Sequence, residues 1–83
     1  MSEQIRFVVN GRPLELSRQG VEQSMREVAP EAIRSHGVVI GRNRYPVKQV
    51  FEVVTGLDRL DFTSATARRH LAKLGFELSR DAT

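Results

Sequence analysis

Cationic side chains are the groups in this sequence best suited to chemistry, and residues 42–49 hold one concentration of them. This segment contains three cations, one aromatic ring and one amide: Arg42, Arg44, Lys48, Tyr45 and Gln49. Guanidinium and ammonium groups bind phosphate, a flat ring stacks on a sugar or base, and an amide can pair with an adenine edge. A helix predicted to begin after Pro46 would add free backbone N–H groups. We therefore expect Lys48 and Gln49 to point outward toward DNA. The alternative is that Tyr45 and Pro46 only complete the core.

Residues 63–73 form a second concentration of polar and cationic groups. They supply three hydroxyl groups and three cations: Thr63, Ser64, Thr66, Arg68, Arg69 and Lys73. On a helix, Thr66, Arg69 and Lys73 would share an outward face, away from the apolar positions. Short hydroxyl residues at a helix start, followed by arginines, suit phosphate contact or entry into a groove of DNA. The alternative is a solvated helix face with Thr63 as its cap.

The residue types that support catalysis are scarce. The two histidines, His36 and His70, are far apart in sequence, and the chain has no cysteine. Their spacing is not that of a metal site. Asp58 and Asp61 flank Arg59 in a loop, where capping and surface pairing are the ordinary roles of carboxylates. We therefore expect no enzymatic activity, no metal, no cofactor and no small-molecule substrate. We expect His36 at a helix cap or the core edge, and His70 on the surface.

Charge is distributed unevenly along the chain. The net charge is +3; residues 1–33 carry four basic and five acidic side chains, whereas residues 34–83 carry nine basic and five acidic ones. Most of the cations are arginine, which favours planar bidentate contacts with phosphate or guanine. No apolar run approaches the roughly 20 residues that cross a bilayer, and the first residues lack the pattern of a secretory signal. These features predict a cytoplasmic protein without a membrane partner, located at the nucleoid if it binds DNA.

Apolar spacing and turn residues predict the elements that must position these groups. Asn10-Gly11 predicts a β-hairpin over residues 4–16, and Pro13 confines its second strand to an edge. The elements predicted after the hairpin are, in order, helices over 18–28 and 30–34, a strand over 38–40, a polar turn over 41–44, helices over 47–55 and 64–74, and a strand over 76–78.

Three apolar stripes define the buried faces of the longer helices. They are Val21, Met25 and Val28; Val47, Val50, Phe51 and Val54; and Ala67, Leu71 and Leu74. The pattern predicts a small single α+β domain with an N-terminal β-hairpin, a second short β segment and three to four helices in a helix-turn-helix-like arrangement. Its expected parts are a β-hairpin over 1–16, a helical segment over 17–36, a basic DNA-contacting module over 37–78 and a frayed tail over 79–83.

Two motifs in residues 36–78 carry a family resemblance. The run from Gly37 to Lys48, which contains Tyr45-Pro46, resembles the G-x-x-Y-P-x-K-A signature of the sulfur-binding domains of McrA-type restriction endonucleases, which read phosphorothioated DNA. The run from Phe62 to Phe76 is similar to the closing helix of that family, F-(S/T)-x-…-L-x-x-L-G-F. The resemblance implies a DNA-binding module in which Tyr45 and Pro46 belong to an apolar cavity for the modified phosphate, while Lys48 and neighbouring arginines contact the backbone. Gln49 departs from the small residue that the family favours.

Taken together, the residues predict a small non-enzymatic protein that binds double-stranded DNA. It would be a bacterial nucleoid-associated protein or a transcription regulator, and a homodimer is compatible with this role. The alternative is a protein-interaction module, such as an antitoxin or adaptor, that uses the edge of the N-terminal hairpin. RNA binding ranks third, because the chain has too few aromatic residues for a stacking platform.

Overall fold

Asn10 and Gly11 close the N-terminal hairpin, as the sequence predicts. A computed structural model describes residues 4–80, and in it strands β1 (Gln4–Val9) and β2 (Arg12–Ser17) pair antiparallel. Asn10 and Gly11 both have positive φ, 50° and 78°. Such a pair of left-handed residues matches the twist of a two-residue hairpin, and glycine and asparagine adopt it at low cost.

Helix α1 (Arg18–Ser24) is shorter than predicted. Ser17 caps it, because its hydroxyl accepts a hydrogen bond of 3.0 Å from the N–H of Gly20. The predicted helix over residues 18–28 was too long, and the predicted helix over 30–34 does not form, since residues 28–35 have no regular structure. Pro30 has no N–H to donate. The amide of Gln49 instead bonds the backbone on both sides of it, at Ala29 and Glu31.

A second antiparallel sheet follows, with strand order β4-β3-β5. Its strands are β3 (His36–Ile40), β4 (Asn43–Pro46) and β5 (Leu78–Arg80). Gly41, with φ of 63°, turns the chain between β3 and β4, so the predicted polar turn is shorter and Asn43 and Arg44 belong to a strand. Strand β5 begins two residues later than predicted. The first two residues of the predicted tail therefore lie in this strand, and residues 81–83 lie outside the described range.

Helices α2 (Val47–Thr55) and α3 (Ser64–Lys73) follow the predicted ranges closely. Gly56, with φ of 75°, ends α2 in the left-handed conformation, and its N–H donates to the carbonyl of Glu52 over 2.9 Å. A 3₁₀ turn (Arg59–Asp61) lies between the two helices. The connection over residues 56–63 is longer than the roughly three- to four-residue turn of a helix-turn-helix, so the pairing of α2 with α3 is only loosely of that kind.

The core lies between the helices and the two sheets. Val50, Phe51, Ala67, Leu71 and Leu74 are fully buried and Val47 is nearly so, which confirms the stripes predicted on α2 and α3 except at Val54, which is half-buried. The ring of Phe51 is 4.7 Å from that of Phe62 and 5.8 Å from that of Phe7 in the hairpin, measured between centroids. These contacts join the hairpin to the helices, so the predicted α+β domain is confirmed. Among residues 4–80, every helix is too short or too polar to cross a bilayer.

Candidate phosphate-binding pocket

An open pocket of about 510 Å³ lies where residues 31–36 meet the first residues of α2 and α3. We call it the α2–α3 pocket. Pro46, Val47 and Lys48 line it from the start of α2, and Ser64 lines it from the start of α3. Helix N-termini carry free N–H groups and the positive end of the helix dipole, and the first turns of α2 and α3 contain no acidic residue. Chemically, this arrangement favours an anion.

Of the cations that line the pocket, Arg59 is neutralised by carboxylates, whereas Arg34 and Lys48 are not. Arg59 donates to both carboxylate oxygens of Glu31, over 2.9 and 2.8 Å, and to Glu52 over 2.9 Å. These hydrogen bonds raise the pKa of Arg59 above its usual value and lower that of Glu31. Arg59 and Glu31 therefore line one part of the pocket as an ion pair. Arg34 and Lys48 also line the pocket, and neither has a carboxylate partner within residues 4–80.

Gln49 does not point outward, and that prediction is wrong. Its side chain is buried, with 5% of its surface exposed. Its amide nitrogen donates to the carbonyl of Ala29 over 2.9 Å, and its amide oxygen accepts from the N–H of Glu31 over 3.0 Å. Both hydrogen-bonding groups are thus used inside the protein, so the side chain is not available to read an adenine edge.

Tyr45 is also part of the interior, which contradicts its expected role as a stacking face. Its ring is 1% exposed, and its hydroxyl faces two backbone carbonyls, that of Met25 at 3.0 Å and that of Val28 at 3.1 Å. A buried tyrosine needs such a partner for its hydroxyl. Tyr45 lies opposite Val38 in the sheet, so the alternative interpretation, in which Tyr45 completes the core, is the correct one.

Arg42 and Arg44 do not join Lys48 at the pocket. Arg42 lies in the turn at the far end of β3 from His36, and lines a separate hollow with Arg26. Since a strand rises about 3.3 Å per residue, the two ends of β3 are about 13 Å apart. Arg44 lies on the outer face of β4, where it donates to the hydroxyl of Ser79 over 2.9 Å. The expected cluster over residues 42–49 is therefore spread over three sides of the protein.

The polar and cationic residues predicted over 63–73 lie in different surroundings on helix α3 and at its N-cap. Thr63 is the N-cap, accepting from the N–H of Thr66 over 3.1 Å and donating to the Thr66 hydroxyl over 3.1 Å. Ser64 is the member of the set that lines the pocket. Arg69 and Lys73 are exposed, as predicted, whereas Thr66 is half-buried. Arg68 is also half-buried, and its Nε is buried without a hydrogen-bond partner in the described chain.

His70 is buried, which corrects its expected place on the surface. It is 6% exposed, and its ring stacks on Phe7 with the centroids 3.9 Å apart. Burial, followed by the charges of Arg69 and Lys73, holds its pKa below the usual value. His70 thus forms part of the contact between α3 and the hairpin.

Three residues that the sequence did not single out as binding residues belong to this region: Arg34, His36 and Arg80. Arg34 and His36 line the pocket, and Arg80 lies directly opposite His36 in the β3–β5 pair. One feature of the sequence could have indicated this region, namely the strand predicted near the C-terminus. If that strand pairs with the strand that follows His36, Arg80 comes close to His36. The His, Asp and Glu side chains of residues 4–80 form no group of three that would hold a metal ion.

Fold and pocket define a small α+β domain with a basic pocket at the starts of two helices. The family model described as SCO5918-like matches residues 5–83, almost the whole chain, and the protein therefore belongs to the SCO5918-like family. No curated protein and no solved structure matches it.

Proposed function

We propose that this protein binds double-stranded DNA through the phosphate backbone, with a phosphate seated in the α2–α3 pocket. The observation that carries the proposal is the meeting of two helix starts at one open pocket whose cations Arg34 and Lys48 have no carboxylate partner in residues 4–80. Cations without a carboxylate partner beside the start of a helix attract an anion. The excess of basic residues after residue 33 makes a polyanion the best-fitting class of ligand.

The proposed binding is directed at the backbone more than at the bases. The two side chains expected to read bases, Tyr45 and Gln49, are both buried and hydrogen-bonded inside the domain. Phosphate contacts fix the position of a protein on DNA but carry little sequence information. A nucleoid-associated role with weak sequence preference therefore suits the available contacts better than a sequence-specific regulator.

Fluorescence anisotropy with a labelled duplex tests the proposal. Lys48→Ala and Arg34→Ala should each weaken binding about tenfold, equal to about 1.4 kcal/mol, because each removes a cation from the phosphate. Arg6→Ala is the matched control: it also removes one positive charge, but Arg6 lies on the exposed face of the hairpin and pairs with Glu15. Equal losses in all three variants would reject the pocket as the binding site.

A phosphorothioated duplex extends the same assay. Pro46 and Lys48, from the segment that resembles the sulfur-binding domains, line the pocket, whereas Tyr45 and Gln49 are buried in the domain. If the pocket discriminates sulfur, the modified duplex should bind more tightly than the plain one, and Lys48→Ala should weaken both. Equal affinities would limit the resemblance to DNA binding alone.

Protein interaction through the hairpin is the second candidate function. No described strand pairs with the outer edge of β1 or β2, and Val8 is 66% exposed. An open edge of this kind can add a strand from another chain. Sedimentation at rising protein concentration tests self-association, and Val8→Lys should abolish it. A monomer at every concentration would remove the self-pairing form of this candidate.

A further inference from the structure

A cluster of two arginines and one histidine lies beside the α2–α3 pocket, contributed by three different elements. His36 begins β3, Arg80 ends β5, and Arg68 lies on α3. His36 and Arg80 are direct partners in the antiparallel register, and residues so paired have Cβ atoms roughly 5 Å apart. The charge of Arg68 also acts on the His36 ring, so the three side chains lie close together although they are distant in sequence.

Two arginines lie close enough to His36 to affect its titration. After burial, which is the largest cause, the positive charges of Arg68 and Arg80 hold the pKa of His36 below its usual value. No ion pair within residues 4–80 joins Arg68, Arg80 or His36 to a carboxylate. Arg68 and Arg80 thus place two positive charges beside the His36 ring. A bound anion would lower the repulsion between these positive charges.

Arg68 supplies a second, independent observation. Its Nε is buried and has no hydrogen-bond partner in the described chain. Buried polar nitrogens in proteins are rarely left without a partner, so such a donor calls for an acceptor from outside. Arg68 lies one turn after Ser64 on α3, and both Ser64 and His36 line the α2–α3 pocket. Arg68 is thus one helical turn away from a residue that lines the pocket.

We propose that His36, Arg68 and Arg80 form a second oxyanion subsite, adjacent to the α2–α3 pocket, that takes a tetrahedral phosphate group. Guanidinium groups present paired donors whose geometry fits phosphate oxygens. The phosphate belongs either to the DNA backbone, in which case the inference rests on the proposed function, or to free inorganic phosphate. In both cases the subsite has the same three residues.

Proton NMR of the two histidine rings tests the subsite directly. His36 and His70 are the only histidines, so their signals are readily assigned with a His70→Phe variant. We expect sodium phosphate, compared with sodium chloride at equal ionic strength, to raise the pKa of His36 by about one unit, since a nearby anion favours the charged ring. The pKa of His70, which is stacked on Phe7, should not change.

Variants of Arg80 distinguish a binding role from a structural one. In chloride, Arg80→Gln should raise the pKa of His36, because one repelling charge is lost. The additional rise that phosphate causes in the original protein should be lost or strongly reduced in this variant. Arg6→Ala should retain the full response. Arg68→Gln is the second variant, and circular dichroism checks that each variant is folded.

Repeating the NMR titration with duplex DNA distinguishes a failure of the subsite from a failure of the proposed function. A His36 response to both phosphate and DNA supports the subsite in its DNA form. A response to phosphate in a protein that does not bind DNA supports the free-phosphate form and rejects the proposed function. If DNA binds and Lys48→Ala weakens it, while Arg80→Gln keeps full affinity and His36 responds to neither ligand, the subsite is rejected and the proposed function stands.

Discussion

Gln49 connects helix α2 to the chain around Pro30 through two hydrogen bonds. Its amide supplies hydrogen bonds to the backbone on both sides of Pro30, in a segment that has no regular structure of its own. We predict that Gln49→Ala lowers the free energy of unfolding by about 1–3 kcal/mol, because two partly buried backbone groups lose their partners. Urea denaturation measures this loss.

Two further variants make the Gln49 prediction specific. Gln49→Glu keeps an acceptor for the N–H of Glu31 but loses the donor to Ala29, so it should also destabilise the protein at neutral pH. Lys48→Ala, one position earlier, removes the contact of the ammonium with the Phe62 ring, 5.6 Å from its centroid, and should therefore lower stability by at most about 1 kcal/mol. A Gln49→Ala variant as stable as the original protein would mean that these hydrogen bonds contribute nothing net.

His70 predicts a dependence of stability on pH. Its pKa is lowered in the folded protein by burial and by Arg69 and Lys73, so between that value and the ordinary 6.5 the unfolded chain binds more protons. The free energy of unfolding should therefore fall as the pH falls below about 7. His36, whose pKa is also lowered, contributes in the same direction.

Melting temperatures at pH 8 and pH 5 test the contribution of His70. His70→Phe keeps a flat ring against Phe7 and removes the titrating group, so its melting temperature should change less between the two pH values. Glu31 has a lowered pKa, and its contribution is lost only below its usual 4.5, outside this window. An unchanged pH dependence in His70→Phe would assign the effect to other groups.

At the scale of elements, α2 and α3 could be predicted because local signals agreed. Apolar residues at helical spacing, a hydroxyl cap at Thr63 and a glycine after α2 all lie within the segments that they define. The segment over 28–35 could not be predicted in the same way, since its conformation depends on Gln49, about twenty residues further along the chain.

The pocket was predictable only in part, for a similar reason. Lys48 and Ser64 were expected at helix starts, and both line the α2–α3 pocket. Arg34 and His36 come from a segment expected to be helical, and Arg80 from a segment expected to be frayed. Their convergence depends on the pairing of β3 with β5. A spacing pattern within one segment carries no information on such long-range pairing.

Phe51 joins helix α2 to the hairpin through its contact with Phe7. Phe51 and Leu71 are fully buried on α2 and α3, so truncating either to alanine should lower the free energy of unfolding by roughly 2–5 kcal/mol. Val53 lies on the same helix as Phe51 and is 41% exposed, which makes Val53→Ala the matched control with a small effect. Thermal denaturation compares the three.

The Phe51→Ala variant also tests whether the hairpin and the helices unfold cooperatively. Because Phe51 contacts both Phe7 and Phe62, its loss should loosen the hairpin and the helices in one transition. A Phe51→Ala variant that melts in two separate steps would show that the hairpin is an independent unit. A Val53→Ala loss as large as that of Phe51→Ala would show that the buried stripe is assigned to the wrong face.

In the proposed complex with DNA, the contact surface extends beyond one pocket. Lys48 and Arg34 line the α2–α3 pocket, and Arg68 and Arg80 lie next to it. The exposed Arg69 and Lys73 extend the positive charge along α3. Arg59, in contrast, is neutralised by Glu31 and Glu52, and so adds no net attraction.

This distribution predicts how strongly DNA binding depends on salt. Each neutralised phosphate releases condensed counterions, so contact with about four to six phosphates should give a slope of log K against log[salt] of roughly −4 to −5. Anisotropy titrations at several sodium chloride concentrations measure the slope. Lys48→Ala should make it shallower by about one, whereas Arg6→Ala should leave it unchanged, since Arg6 lies on the hairpin. Affinity for duplex DNA that does not depend on salt would contradict a backbone-directed mode, because with Tyr45 and Gln49 buried this surface has little else with which to attract DNA.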